Sequence, residues 1–316
     1  MAEGKWISGL KPGTPIADAA RVVLTERFAV VRQYLPLAAN NPYEDVEYVH
    51  QLRVGTRRTG AALRAFSDAL PRKSLKATKT ALRTIRQAAG DARDWDVFLA
   101  SLPGAKPFGT ATAKPTLDFL LGYAFGQRTA AQARLTATEA ETGPEFLALS
   151  ESLPTRTREP EGTDAPTNFG ELAVQQLGAL FAELTASAEA NPTEPHDLHA
   201  LRIIAKRLRY AIEIFAECFP PYLKETIYPC VERVQELLGE VQDANVGISR
   251  LVDIRALVGA VAPKQLTRVK KGLDALATSL RGKIPAGTKA FASWRKEWLG
   301  LMAALKLEVV ASVVTA

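Results

Sequence analysis

His50-Gln51-Leu52-Arg53-Val54-Gly55-Thr56-Arg57-Arg58 returns 149 residues later as His199-Ala200-Leu201-Arg202-Ile203-Ile204-Ala205-Lys206-Arg207. At the same offset Gly90-Asp91-Ala92-Arg93-Asp94-Trp95-Asp96-Val97 falls on Gly239-Glu240-Val241-Gln242-Asp243-Ala244-Asn245-Val246, with Gly, Asp and Val shared. Two motifs in one register indicate an internal duplication. Each copy carries a histidine followed by cations, so the functional question is which anion they meet.

The segments around these motifs are rich in Ala, Leu, Arg and Glu, with apolar residues three and four apart and no sustained two-residue alternation. The fold class expected is all-α, and the duplication favours two tandem bundles of about 150 residues over one large core. In the first half, helices are expected over 14–38, 45–69, 72–101 and 114–142, with a shorter piece over 143–152. The second half should hold 168–190, 195–218, 221–257, 264–282 and 288–308. Pro71, the Pro103-Gly104 turn and Pro220-Pro221 supply the breaks. Pro229 should kink the seventh helix or begin a new first turn. The stretch 154–167 has three prolines, four threonines and no aliphatic side chain, and reads as a mobile linker between repeats at 1–153 and 168–316.

The chain's 316 residues suffice for two bundles of ordinary domain size, and 40 Lys and Arg against 34 Asp and Glu give a net charge of +6. That excess favours a polyanionic partner only if it is clustered. The two cysteines, Cys218 and Cys230, form no C-x-x-C pair, which suits a reducing compartment and argues against a thiolate metal centre. Charges interrupt every apolar run before membrane-spanning length, and the N-terminus lacks the apolar core of a signal peptide. The expectation is a soluble cytoplasmic protein without membrane attachment and without a cofactor.

Clustering is what the helical pattern shows. With about 100° per residue and His50 at zero, Arg53, Arg57 and Arg64 lie near 300°, 340° and 320°, and Leu52, Leu63 and Phe66 lie roughly opposite. His199, Arg202 and Lys206 repeat that face with Arg209 close by, opposite Leu201, Leu208, Ile212 and Phe215. Like charges at three- and four-residue spacing repel, so the stripe requires a counter-charge or open solvent. Lys76, Lys79, Arg83 and Arg86 form a second stripe, whose counterparts Glu225, Tyr228, Glu232 and Gln235 are not basic, so the anion surface should be asymmetric. Lys264, Arg268 and Lys271 form a third, weaker stripe for which a solvated face is an equal reading.

These motifs, in register, resemble the CHAD domain, the conserved histidine α-helical domain. The resemblance covers essentially the whole chain through the two His-x-x-Arg-x-x-x-basic-Arg helices and the two Gly-x-x-x-Asp segments. It implies two tandem four-helix bundles related by a pseudo-twofold, with a basic groove lined by helices of both repeats that binds inorganic polyphosphate; polyphosphate granules are the corresponding place to look for a cytoplasmic protein of this kind. Residues carried over by match are His50, Arg53, Arg57, Arg58, His199, Arg202, Lys206 and Arg207. The stripes add Arg64, Arg209, Lys76, Lys79, Arg83 and Arg86. Arg58 and Arg207 lie about 80° from the histidine direction and either flank the groove or pair with acids inside the bundle. Polyphosphate offers only phosphate oxygens, for which arginine forks and lysine charges suffice. No Glu-x-Glu-x-Lys strand of a triphosphatase is present, so binding without hydrolysis is expected.

Two other functions fit parts of the pattern. A histidine phosphotransfer protein also exposes His with a basic residue three positions on, but Val54 and Ile203 stand where a small Gly would follow. Nucleic acid is the other polyanion a basic surface could take. A metal site is less well supported: Glu47 and His50 form an E-x-x-H, but Glu47 corresponds to His196, leaving the set incomplete.

Overall fold

The computed structural model describes residues 5–314, with side chains through residue 305. All regular structure among the described residues is helical. Helices α1 (Ile16–Asn40), α2 (Glu47–Ala65), α3 (Arg72–Ser101) and α4 (Lys114–Ser152) are followed by α5 (Phe169–Glu189), α6 (Pro195–Phe215), α7 (Tyr228–Val261), α8 (Pro263–Arg281) and α9 (Lys283–Val314). Two pairs of boundaries fall at the sequence offset: α1 ends at Asn40 and α5 at Glu189, and α4 begins at Lys114 and α8 at Pro263, each pair 149 residues apart.

Where proline meets helix, two expectations are refined. The piece over 143–152 is no separate helix; α4 runs through Pro144 because Phe146 is buried edge-on against Phe28, at 5.9 Å between ring centroids. Pro229 sits in the first turn of α7, where its missing N–H costs nothing, and a π-helical turn over Leu223–Ile227 precedes it.

The chain divides into two compact units whose boundaries fall inside helices. Unit 1 takes the residues up to Phe108, Leu117–Gln176 and Glu213–Cys218; unit 2 takes Gly109–Thr116, Leu177–Ile212 and the residues from Phe219 onward. The stretch read as a mobile linker belongs to unit 1 and is held there. Pro154 is buried, the Arg158 amide donates to Ala69 O at 3.0 Å, and the Glu159 carboxylate accepts the Ile16 and Ala17 amides at 3.2 and 3.0 Å. An acid there satisfies donors at the start of α1 and meets the positive end of its dipole. Phe66, Phe169 and Phe215 pack with centroids 5.2 to 6.3 Å apart, which places the start of α5 and the end of α6 in unit 1.

In unit 1, α1 turns Ala20, Val23, Leu24, Phe28 and Val31 inward, all fully buried. Gly55 lets α2 approach closely, because a Cβ there would lie 2.9 Å from Val30. In unit 2 the core is a ladder of stacked rings, Phe181, Trp298, Trp294 and Phe291, with centroids 5.6 to 6.0 Å apart. The indole N–H groups are satisfied, Trp294 donating to Cys230 O at 2.8 Å and Trp298 to Thr185 Oγ1 at 3.2 Å.

Candidate functional site

Helix α2 starts where the Asp45 carboxylate accepts the Glu47 amide at 2.8 Å. Its apolar side is fixed by Val49, Leu52, Ala62 and Leu63, all fully buried. The opposite side therefore carries His50, Arg53 and Arg57, half-buried, and Arg64, exposed. Arg53 Nη1 donates to Asp94 Oδ1 at 2.7 Å, so the histidine motif and the Gly-x-x-x-Asp segment meet across α2 and α3. His50 is held below its ordinary value of 6.5, chiefly by burial and then by the Arg93 charge, with Arg53 and Arg57 adding to Arg93 and Glu47 opposing. Burial and the neighbouring guanidiniums thus favour its neutral imidazole form.

Arg58 does not join this face. It is 5% exposed and donates from Nε to Oε2 of Glu213, itself fully buried, at 2.7 Å. Of the two alternatives for Arg58, pairing with an acid in the interior is what the structure shows, and Arg58 leaves the set of candidate anion contacts. The 80° offset from His50 points it inward, and burying a charge requires such a partner.

Helix α3 buries Leu82, Ile85 and Ala89 and exposes Lys76, Lys79, Arg83 and Arg86, as the periodicity requires. Lys76, Lys79 and Arg83 line a shallow depression of about 350 Å³ with Arg72, Leu75 and Thr80. A second depression of similar size, between Phe66 and the 160–166 segment, is lined by Asp68, Glu161 and Asp164 and has the wrong charge for an anion. Two cations missing from the sequence expectation thus belong here. Arg72 continues the three-and-four spacing one turn before Lys76, a signal that was available. Arg93 acts on His50 only because α2 and α3 pack together, a tertiary fact.

In unit 2, α6 buries Leu201, Leu208 and Ile212 and leaves His199 exposed with Arg202 and Lys206 half-buried. Arg202 lies against Gly239 of the second motif: a Cβ there would meet Arg202 Nη2 at 3.7 Å, an ordinary contact. Arg207 is exposed and binds both oxygens of Glu183, at 2.9 and 3.0 Å. Arg209 stacks on Tyr210 at 4.9 Å and pairs with Glu232 at 3.5 Å. The counterparts of the α3 cations on α7 present no basic face: Tyr228 and Gln235 are buried, and Gln235 donates to Ala205 O at 2.9 Å. The basic face of α3 thus has no counterpart on α7. Among the described residues no three His, Cys, Asp or Glu side chains gather as a metal would require, and His196 is exposed beside Asp197. Burial lifts the thiol of Cys218 to about 11. No helix among the described residues is long and apolar enough to cross a membrane.

A family description of the CHAD domain matches residues 22–252. The chain belongs to the CHAD-domain family. Among solved structures, the CHAD domain from the plant Ricinus communis superposes with a TM-score of 0.69 at 22% identity, covering 92% of this chain and 95% of that one. PptA from Streptomyces chartreusis superposes with a TM-score of 0.68 at 17% identity, covering 90% of this chain and all of the other. At these identities the likeness shows the fold. No curated protein matches the sequence.

Proposed function

We propose that this CHAD-domain protein binds inorganic polyphosphate without hydrolysing it, as a targeting or scaffolding protein of the cytoplasm and its polyphosphate granules. The observation that carries the reading is the α3 face: Arg72, Lys76, Lys79, Arg83 and Arg86 are all exposed along one side of one helix. At 1.5 Å per residue these five cations extend over about 21 Å, a length that a long phosphate chain can follow and a pyrophosphate cannot. Arg53, Arg57 and Arg64 on α2, and Arg202 and Lys206 on α6, supply further cations in their own units. What supports binding without turnover is the side-chain set: phosphoryl transfer with a metal needs carboxylates to hold it, and Asp94, beside the α2 cations, is engaged by Arg53.

Calorimetric titration with long-chain polyphosphate, pyrophosphate and ATP tests the reading. Long chains should bind most tightly, and equal affinity for ATP would replace an extended surface with a compact nucleotide site. Alanine at Arg53, Arg57, Arg202 or Lys206 should each cost about 1–3 kcal/mol where a charge-assisted contact is lost. Glutamine at the exposed Arg156 and Arg158 should cost little.

A further inference from the structure

Between residues 263 and 305 the sequence holds nine lysines and arginines and two acids, a net charge of +7 against +6 for the whole chain. The rest of the molecule is therefore close to neutral, and the overall basicity resides in α8 and α9. Both acids of this segment are engaged by arginines of α7: Asp274 accepts from Arg255 Nη1 at 2.7 Å, and Glu297 pairs with Arg233. Arg295 is also engaged, donating to Ala188 O at 2.5 Å and Glu189 O at 3.1 Å at the end of α5. The other eight cations are exposed, and none pairs with an acid among the described residues. This segment also lies beyond residues 22–252, the span that the family description matches.

The cations are arranged in rows. Val269, Leu273 and Leu276 fix the buried side of α8, and Gly272 lies against Thr116, whose hydroxyl donates to Val269 O at 3.1 Å. Opposite them, Lys264, Arg268 and Lys271 fall within about 60° of one another over roughly 10 Å. Lys270 and Arg281 form a second row about 100° round the helix. On α9, Trp294 and Trp298 are buried, which turns Lys289 and Lys296 outward. Among the described residues these two helices expose no large hydrophobic side chain. A surface without an apolar wedge does not insert into a bilayer, and one without exposed aromatics has no platform for unstacked bases. Rows that diverge around a helix are also broader than a single phosphate chain, which would meet one row at a time. A duplex presents charge at comparable width.

We propose that α8 and α9 form a sequence-independent contact surface for the phosphate backbone of double-stranded nucleic acid, using residues other than those assigned to polyphosphate. A protein so built holds two polyanions at once. The surface supplies backbone contacts, which position a duplex and carry no sequence information of their own.

The test is anisotropy titration of the full chain with a fluorescent duplex of mixed sequence, at several salt concentrations, beside polyphosphate titrations. Three proteins are compared: wild type, a variant with Lys264, Arg268, Lys271, Lys289 and Lys296 all changed to Gln, and the Arg53→Gln, Arg57→Gln variant. All five positions in the first variant are exposed, and circular dichroism checks its fold. It should lose duplex affinity at least about tenfold, its salt slope should fall by about 0.9 for each contact removed, and it should keep polyphosphate binding. The arginine variant should do the reverse. The proposal is overturned if wild type binds no duplex, if the five-fold variant binds it as wild type does, or if that variant loses polyphosphate affinity instead. A wild type that binds duplex and no polyphosphate would sink the polyphosphate reading and leave this one standing.

Discussion

Replacing Arg58 by Met tests the assignment of that arginine to the interior. The pair it forms with Glu213 is 2.7 Å long, with side chains 5% and 0% exposed. At an effective dielectric near 20, two charges about 4 Å apart attract by about 4 kcal/mol, and removing one member of such a buried pair typically costs about 3–5 kcal/mol. For a unit of this size that corresponds to a fall in Tm on the order of 10 °C. Changing both members, Arg58→Met with Glu213→Leu, removes the buried charge altogether and should restore most of the loss. Urea denaturation followed by circular dichroism gives the stabilities, and polyphosphate titration of the double variant gives the function. The reasoning predicts a destabilised single variant and a stable double variant that binds as wild type does. It is refuted if the single substitution costs less than about 1 kcal/mol, or if the stable double variant binds as poorly as Arg57→Ala.

Two further expectations concern the His50 face. Because the folded protein holds His50 below 6.5, the unfolded chain binds the proton more readily, so stability should decline as pH falls from 6.5 toward the folded value. A bound phosphate shifts the balance the other way, so polyphosphate binding near pH 6 should take up a proton, seen as a buffer-dependent heat absent in His50→Gln; equal heats in all buffers would exclude a phosphate contact. Asp94→Asn frees Arg53 from a counter-charge that a phosphate must displace, and an exposed pair of this kind is worth about 0–1 kcal/mol. Polyphosphate affinity should therefore rise by up to about fivefold; a fall would mean that Asp94 positions Arg53 for the ligand.

The helices were legible because their apolar spacing is strong and prolines mark several of their ends. Their joins were less so. Nothing local distinguishes Pro144, which a helix passes through, from a helix end; the deciding contact is Phe146 against Phe28, 118 residues away in the chain. The 154–167 stretch has the composition of a mobile linker, yet the Glu159 carboxylate caps a helix more than 140 residues upstream. Composition reports how little apolar area a segment can bury, and says nothing about single charge-assisted contacts that tie it down.

The site divides in the same way. Arg53, Arg57 and Arg58 lie within six residues of one another, and residue type cannot separate two that face outward from one that is buried. What separates them is Glu213, 155 residues beyond Arg58. At the 149-residue offset Glu213 stands opposite Arg64 in the alignment of the two motifs, a buried acid against a surface cation. A shared motif therefore fixes which helix face is polar, and the packing around each copy decides whether that face meets solvent. The same logic hid α8 and α9. Spacing alone leaves Lys264, Arg268 and Lys271 between a basic stripe and a solvated face; Asp274 and Glu297, occupied by arginines of α7, leave the cations of this segment without acids of their own.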